Sequence, residues 1–244
     1  LPMERETLML RGLFGEAPRH NEGLLRSAFE AMERTVLQLQ RLTNAGNDPK
    51  HIWRKYEIWA RGLITSLDEL EQSRYAAERF QSRVTKTYQD EMTPEEETDY
   101  RRHLYFYKNG LIRVFSVLDK LGTLLNGVLE LNTGKVKQRF SYFTVLRQMR
   151  YTGTESGLAD KLGAIKESYK DPMSRLRKQR NTEIHYMNSE MQDDLWQRHQ
   201  ALDGRVKLED IGHNLADLDQ ALDMVCKTLL ASFLHIDRLL RAKS

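Results

Sequence analysis

Hydrophobic residues recur at three- and four-residue steps along almost the whole chain, the period of an α-helix rather than of a strand. Leu25, Ala28, Phe29, Met32, Val36 and Leu39 form a first stripe, in a helix that Asn21 would cap. Asn47 or Asp48 with Pro49 opens a second, in which Trp53, Tyr56, Ala60, Leu63, Ile64 and Leu67 line one side before a charged continuation to about Tyr88. The run Thr93-Pro94-Glu95-Glu96 carries three start signals at once: a hydroxyl N-cap, a proline at the first helical position and a glutamate placed for a capping box. From there Tyr100, Leu104, Tyr107, Leu111, Val114, Leu118, Leu121, Leu125 and Val128 keep one face apolar until Asn132-Thr133-Gly134, predicting a helix of roughly 38 residues, about 57 Å long. A helix of that length needs a long neighbour. The steps from Leu208 through Ile211, Leu215, Leu218, Leu222, Val225, Leu229, Phe233 and Ile236 to Leu240 supply one.

Between the two long helices the signal is weaker. Lys135 to Arg150 reads as a short helix by the spacing of Val136, Phe140 and Phe143, yet it is rich enough in β-formers to be irregular. Leu158 to Tyr169 reads as a helix, and Asp171-Pro172 starts another. The fold class is therefore all-α, a long-helix, mostly up-and-down bundle with a short basic insertion ahead of the penultimate helix. Five prolines and fourteen glycines, with no Ser/Gly- or Pro-rich run and no internal repeat, leave no linker, so residues 1–244 read as one domain with an N-terminal arm over 1–20 and a basic segment over 133–170. Leu1-Pro2 is not a natural start, which implies that a few residues are missing or not native. The single cysteine, Cys226, lies among Leu222, Val225 and Leu229 and reads as a small core residue in a reducing compartment, placing the chain in the cytoplasm. No signal-peptide pattern is present, the apolar runs are far shorter than the roughly 20 residues that span a bilayer, and no membrane association is expected.

Charge changes the picture more than composition does. The net charge is only +3, but from Lys135 to Arg180 there are twelve Lys/Arg against four Asp/Glu, while the rest of the chain holds 26 basic against 31 acidic residues. No acid occurs between Asn132 and Glu155, where Lys135, Lys137, Arg139, Arg147 and Arg150 alternate with Phe140, Tyr142, Phe143 and Tyr151. Cations interleaved with aromatics make a nucleic-acid surface or a solvated cationic face over core aromatics, and the spacing alone leaves both open. Other chemistry is absent from the sequence. The seven histidines stand singly without metal-ligand spacing, so no metal site or cofactor is expected, and there is no P-loop, dinucleotide glycine pattern or serine elbow.

One segment is anomalous. In the helix after Asp171-Pro172, Met173, Leu176, Ile184, Met187 and Met191 fall on one side at 100° per residue, and Arg180 lies near the centre of that stripe. Arg177, Arg180, Asn181, Ile184, His185 and Asn188 share an overlapping line. A buried, unpaired guanidinium costs several kcal/mol as an order of magnitude, so Arg180 must meet an acid, a carbonyl-rich pocket, a subunit or a phosphate. Glu57, close to the apolar stripe of the second helix, is a candidate partner. The bland alternative is an arginine that snorkels or pairs and a histidine with no task.

The run Arg180-Asn181-Thr182-Glu183-Ile184-His185 resembles the signature of the HEPN superfamily, in which an arginine is followed by a polar residue and by a histidine after four to six intervening positions. The resemblance, closest to stand-alone bacterial members, implies a helical bundle and a metal-independent endoribonuclease that works as a homodimer, with the arginine and histidine of two subunits facing each other. Arg180 would then stabilise charge on the scissile phosphate, His185 would move the proton of the 2′-OH or the 5′-oxygen, and Asn181 would orient the histidine or the phosphate. The products would carry 2′,3′-cyclic phosphate and 5′-hydroxyl ends. Arg177, Asn188, Lys135, Lys137, Arg139, Arg147, Arg150 and Tyr142 are the expected RNA contacts, with Phe143 and Tyr151 as further stacking surfaces. A role as a toxin or defence effector, with a neutralising partner protein, goes with this reading. The alternatives are an inactive HEPN-like module that binds RNA or nucleotides and a helical dimeric interaction protein. Some toxin members carry a modified tyrosine two residues after the histidine; here that position is Met187, so this regulation does not carry over.

Overall fold

Stripes that are apolar on one side become helices whose faces meet. The structure, a computed structural model, describes residues 22–46, 48, 50–185 and 206–242. Over these residues the order is α1 (Gly23–Asn44), α2 (Ile52–Gln81), a 3-10 turn (Gln89–Glu91), α3 (Pro94–Val128), α4 (Thr133–Val136), α5 (Tyr142–Thr152), α6 (Ser156–Ser168), α7 (Lys170–His185) and α8 (Ile211–Arg241). The fold is the all-α bundle that the spacing predicts. Among the described residues β-pairing is confined to an isolated antiparallel bridge between Tyr88 and Lys207. None of the described helices is long and apolar enough to cross a membrane.

The four long helices α1, α2, α3 and α8 enclose the core, where Met32, Leu39, Leu63, Leu67, Leu118, Leu125, Leu229 and Phe233 are buried. Each such side chain contributes about 1.5–3 kcal/mol on leaving water. Helices α2 and α3 run antiparallel. Tyr56, near the start of α2, lies against Gly127 near the end of α3, where a Cβ would come within 2.9 Å of the ring. At the other end His103 of α3 meets the Ala77 carbonyl of α2 through Nδ1 at 2.8 Å. Cys226 is buried as expected, and burial, with Asp223 and Glu71 nearby, pushes its thiol up to about 12.

Helix starts follow the sequence with shifts that have physical causes. The N-cap position of α1 is Glu22, and Asn21, the expected cap, lies outside the described residues. Helix α2 begins at Ile52 rather than at Pro49, because His51 adopts a left-handed conformation with φ 52°. The Asp48 carboxylate nevertheless accepts from the amides of Ile52 at 2.6 Å, Trp53 at 3.2 Å and Arg54 at 3.0 Å, so it caps from a distance. The helix ends at Gln81, short of the continuation to Tyr88. At α3 Thr93 accepts from the Glu96 amide at 3.2 Å and Pro94 opens the helix, as predicted. The reciprocal half of the capping box is not formed: Glu96 turns away and accepts from the amides of Thr85 at 2.5 Å and Lys86 at 2.9 Å, tying the α2–α3 connection to the helix. Leu208 precedes α8, which starts at Ile211 with Asp210 accepting from the His213 amide at 2.9 Å.

The basic insertion is both helical and irregular. The short α4 and an extended stretch lead into α5, which buries Tyr142, Val145, Leu146 and Met149. Helix α5 approaches α3 closely enough that a Cβ on Gly122 would lie 2.8 Å from the Tyr142 Cα. Asp119 of α3 accepts from the Tyr142 amide at 3.0 Å and so satisfies the start of α5. Helix α6 packs between α5 and α8, and α7 then lies against α3 and α8.

Candidate functional site

Helix α7 carries the anomalous segment, and its orientation is set from both sides. Met173 and Leu176 are buried in the chain's own core, so this half of the apolar face does not wait for a subunit. On the side toward α8 Arg175 donates to both oxygens of Asp217, Nε at 2.7 Å and Nη2 at 2.6 Å, and Asp217 is itself buried. This bidentate pair fixes angle as well as distance. Gln179 accepts from the Tyr107 hydroxyl of α3 and donates to Asn214 of α8 at 2.8 Å. Lys108 of α3 pairs with Glu183 at 3.2 Å. These residues border a cleft of about 460 Å³ between α3, α7 and α8.

The other side of α7 presents the motif. The Arg180 guanidinium lies over the Phe115 ring of α3, 4.5 Å from its centroid, and donates to the Asn181 side-chain oxygen from Nη2 at 2.8 Å and from Nε at 3.3 Å. One turn earlier Arg177 lies over the Phe143 ring of α5, 4.8 Å from its centroid. Arg180 is half-buried, while Arg177 and Asn181 are exposed. The ring face and the amide oxygen answer the question of how a cation sits on an apolar stripe: the quadrupole of the ring and a charge-assisted hydrogen bond replace part of its water. Among the described residues no carboxylate pairs with Arg180. Glu57 is not its partner; that buried carboxylate pairs with Arg54 at 2.7 Å and Arg61 at 3.0 Å on its own helix.

The expected RNA contacts divide. Lys135, Lys137, Arg139 and Arg147 are exposed. Arg150 is exposed too, but its guanidinium lies across Gly163 of α6, where a Cβ would overlap it. Tyr142 is not a surface residue. It is 0% exposed, seated against Gly122, and burial pushes its phenol well above the usual range. It is core, and Phe143 beside it is the ring that meets a cation. His185 ends the span of α7, and its side chain, like that of Ile184, lies outside what the structure describes. Asn188, Met187 and Met191 are also outside the described residues. Phe115 and the Gln179 clamp were not singled out by sequence, since their importance rests on which helices become neighbours. A faint signal existed for Phe115, an aromatic directly beside Val114 on the predicted apolar face.

Chemically, the arrangement offers two guanidiniums one turn apart on α7, each laid on an aromatic ring. The Nη1 donors of Arg180 have no partner among the described residues, and a planar fork suits two oxygens of one phosphate. Among those residues no group of three His, Cys, Asp or Glu side chains is placed to hold a metal ion. In comparison with known proteins, the family model for Cthe2314-like HEPN matches residues 59–237. No curated protein and no solved structure matches the chain.

Proposed function

The chain belongs to the Cthe2314-like HEPN family, and from that premise we propose that it is a metal-independent endoribonuclease acting at a site shared by two copies. The observation that carries this reading is Arg180, a guanidinium stored on the Phe115 ring with no carboxylate partner among the described residues. Arg180 bonds the scissile phosphate and stabilises the charge that develops on it. Asn181 holds that guanidinium in plane through its side-chain oxygen. His185, on the same helical line, takes the proton of the 2′-OH or delivers one to the leaving 5′-oxygen. The 2′-oxygen attacks the neighbouring phosphorus, the bond to the 5′-oxygen breaks, and a 2′,3′-cyclic phosphate and a 5′-hydroxyl result.

A homodimer fits the surface beside this site. Tyr105 and Ile112, seven residues apart on α3, are 64% and 43% exposed, and Lys108 between them reaches Glu183 of α7. A second copy seated on that strip covers apolar surface and brings its own motif toward the first, an isologous arrangement. Incubating the purified protein with mixed RNA in EDTA tests the reading. Cleavage by the wild type that is lost in Arg180→Ala and in His185→Ala supports it. No cleavage, or cleavage that both variants retain, overturns it; salt-dependent binding without turnover would assign the chain to RNA binding alone.

A further inference from the structure

On α5, Phe143, Arg147 and Tyr151 follow one another at four-residue steps, so they form one ridge with about 6 Å of axial rise between neighbours. The inner face of the same helix is fully used by Tyr142, Val145, Leu146 and Met149. On the outer ridge Phe143 packs partly against the core, while Arg147 and Tyr151 are left exposed. Tyr151 is 86% exposed, an unusual place for a tyrosine ring, and Arg147 is exposed beside it. Phe143 is half-buried and already carries Arg177 on its face, which joins the ridge to α7 and hence to Arg180.

Two acids near this surface are engaged elsewhere. No acidic residue occurs between Asn132 and Glu155. Glu155 faces His235 of α8 at 3.1 Å, and Asp119 is bonded to the Tyr142 amide at 3.0 Å. Exposed Lys135, Lys137 and Arg139 extend the cationic surface ahead of the ridge.

We infer that this ridge binds a single-stranded nucleic acid, whose bases stack on Tyr151 and whose phosphates meet Arg147, Arg177 and the lysines, and leads it to Arg180. The strand must be single. A free aromatic face takes the face of an unpaired base, which a duplex hides, whereas cations alone serve either form. Nothing on the ridge reads a 2′-OH, so single-stranded DNA binds there as well as RNA does. The inference rests on the nucleic-acid part of the proposed function and not on cleavage.

Fluorescence anisotropy with a short fluorescein-labelled oligo(dT), which lacks the reacting hydroxyl, keeps the two apart. The wild type binds oligo(dT) and 2′-O-methyl oligo(U), whose reacting hydroxyl is blocked, alike and a duplex of the same length more weakly. Tyr151→Ala weakens single-strand binding by about tenfold, the scale of one lost stack. Arg147→Gln lowers the slope of log K against log salt by about 0.7, the share of one phosphate contact. Both side chains are exposed, and an unchanged circular dichroism melt certifies the fold. Oligo(dT) binding by a protein that does not cut RNA supports the ridge while counting against the cleavage reading. Equal binding of strand and duplex, unchanged binding in both variants, or binding of a polyglutamate peptide in place of oligonucleotide overturns it.

Discussion

Arg180 occupies a position where helical geometry calls for an apolar side chain, and the Phe115 ring is what makes the position habitable for a cation. A half-buried guanidinium on a buried ring gains about 0.5–2 kcal/mol, a modest share of the fold's stability, so the contact chiefly positions the group. That difference can be measured. Arg180→Ala lowers the turnover of RNA by roughly 10²–10³, the usual loss when one stabiliser of transition-state charge is removed. Arg180→Lys falls between, because it keeps the charge and loses the planar fork. Melting temperatures of both variants stay close to wild type by calorimetry; a large drop in stability with turnover unchanged would make Arg180 structural. Sequence alone disclosed that this arginine was out of place, but not what it meets. Glu57 was in the right type of position on the wrong surface, because the facing of α7 against α3 is decided by contacts such as Tyr107 with Gln179, far apart in the chain.

At the scale of elements, local signals were legible where a helix end is settled by adjacent residues. Thr93 and Pro94 start α3 where the sequence puts them. They were less legible where a carboxylate reaches across a loop, as Asp48 and Glu96 do. Tyr142 is core although its place among basic residues suggests a surface ring: an aromatic looks the same in sequence on either side of a helix, and only the α3–α5 approach at Gly122 shows that it points inward. The two reaching carboxylates carry a pH signature. Desolvation opposes ionisation of Asp48, but the amides of Arg54, Trp53 and Ile52 outweigh it and hold its pKa below the ordinary value. The Thr85 amide, then that of Lys86, does the same for Glu96 against a smaller desolvation penalty. A group with a depressed folded-state pKa adds stability that is full above its unfolded value, about 4 for a carboxylate, and is lost as pH falls through the folded value. The urea midpoint of the wild type should therefore fall below about pH 4. Asp48→Asn should start lower at neutral pH and lose less on acidification. Parallel curves for the two proteins would show that Asp48 does not cap α2.

At the scale of the molecule, α1, α2, α3 and α8 form a long frame, and the basic insertion and α7 are laid along it as the face proposed to work on RNA. The frame was readable from periodicity, since helices of this length announce themselves by repeating apolar steps. That face was readable only as a charge surplus and a six-residue motif, because the meeting of α3, α5 and α7 depends on packing. What results is a run from exposed Tyr151 and Arg147 to two cations resting on rings, Arg177 on Phe143 and Arg180 on Phe115. The proposed reaction is cleavage of RNA on this face through the substrate's own 2′-OH. A DNA oligonucleotide with a single embedded ribonucleotide, incubated with the protein in EDTA and analysed by mass spectrometry, tests it most directly. The expected result is one cut, on the 3′ side of the ribose, leaving a 2′,3′-cyclic phosphate and a 5′-hydroxyl, and no cut with Arg180→Ala. An intact oligonucleotide, or cuts at deoxyribose positions, would contradict it.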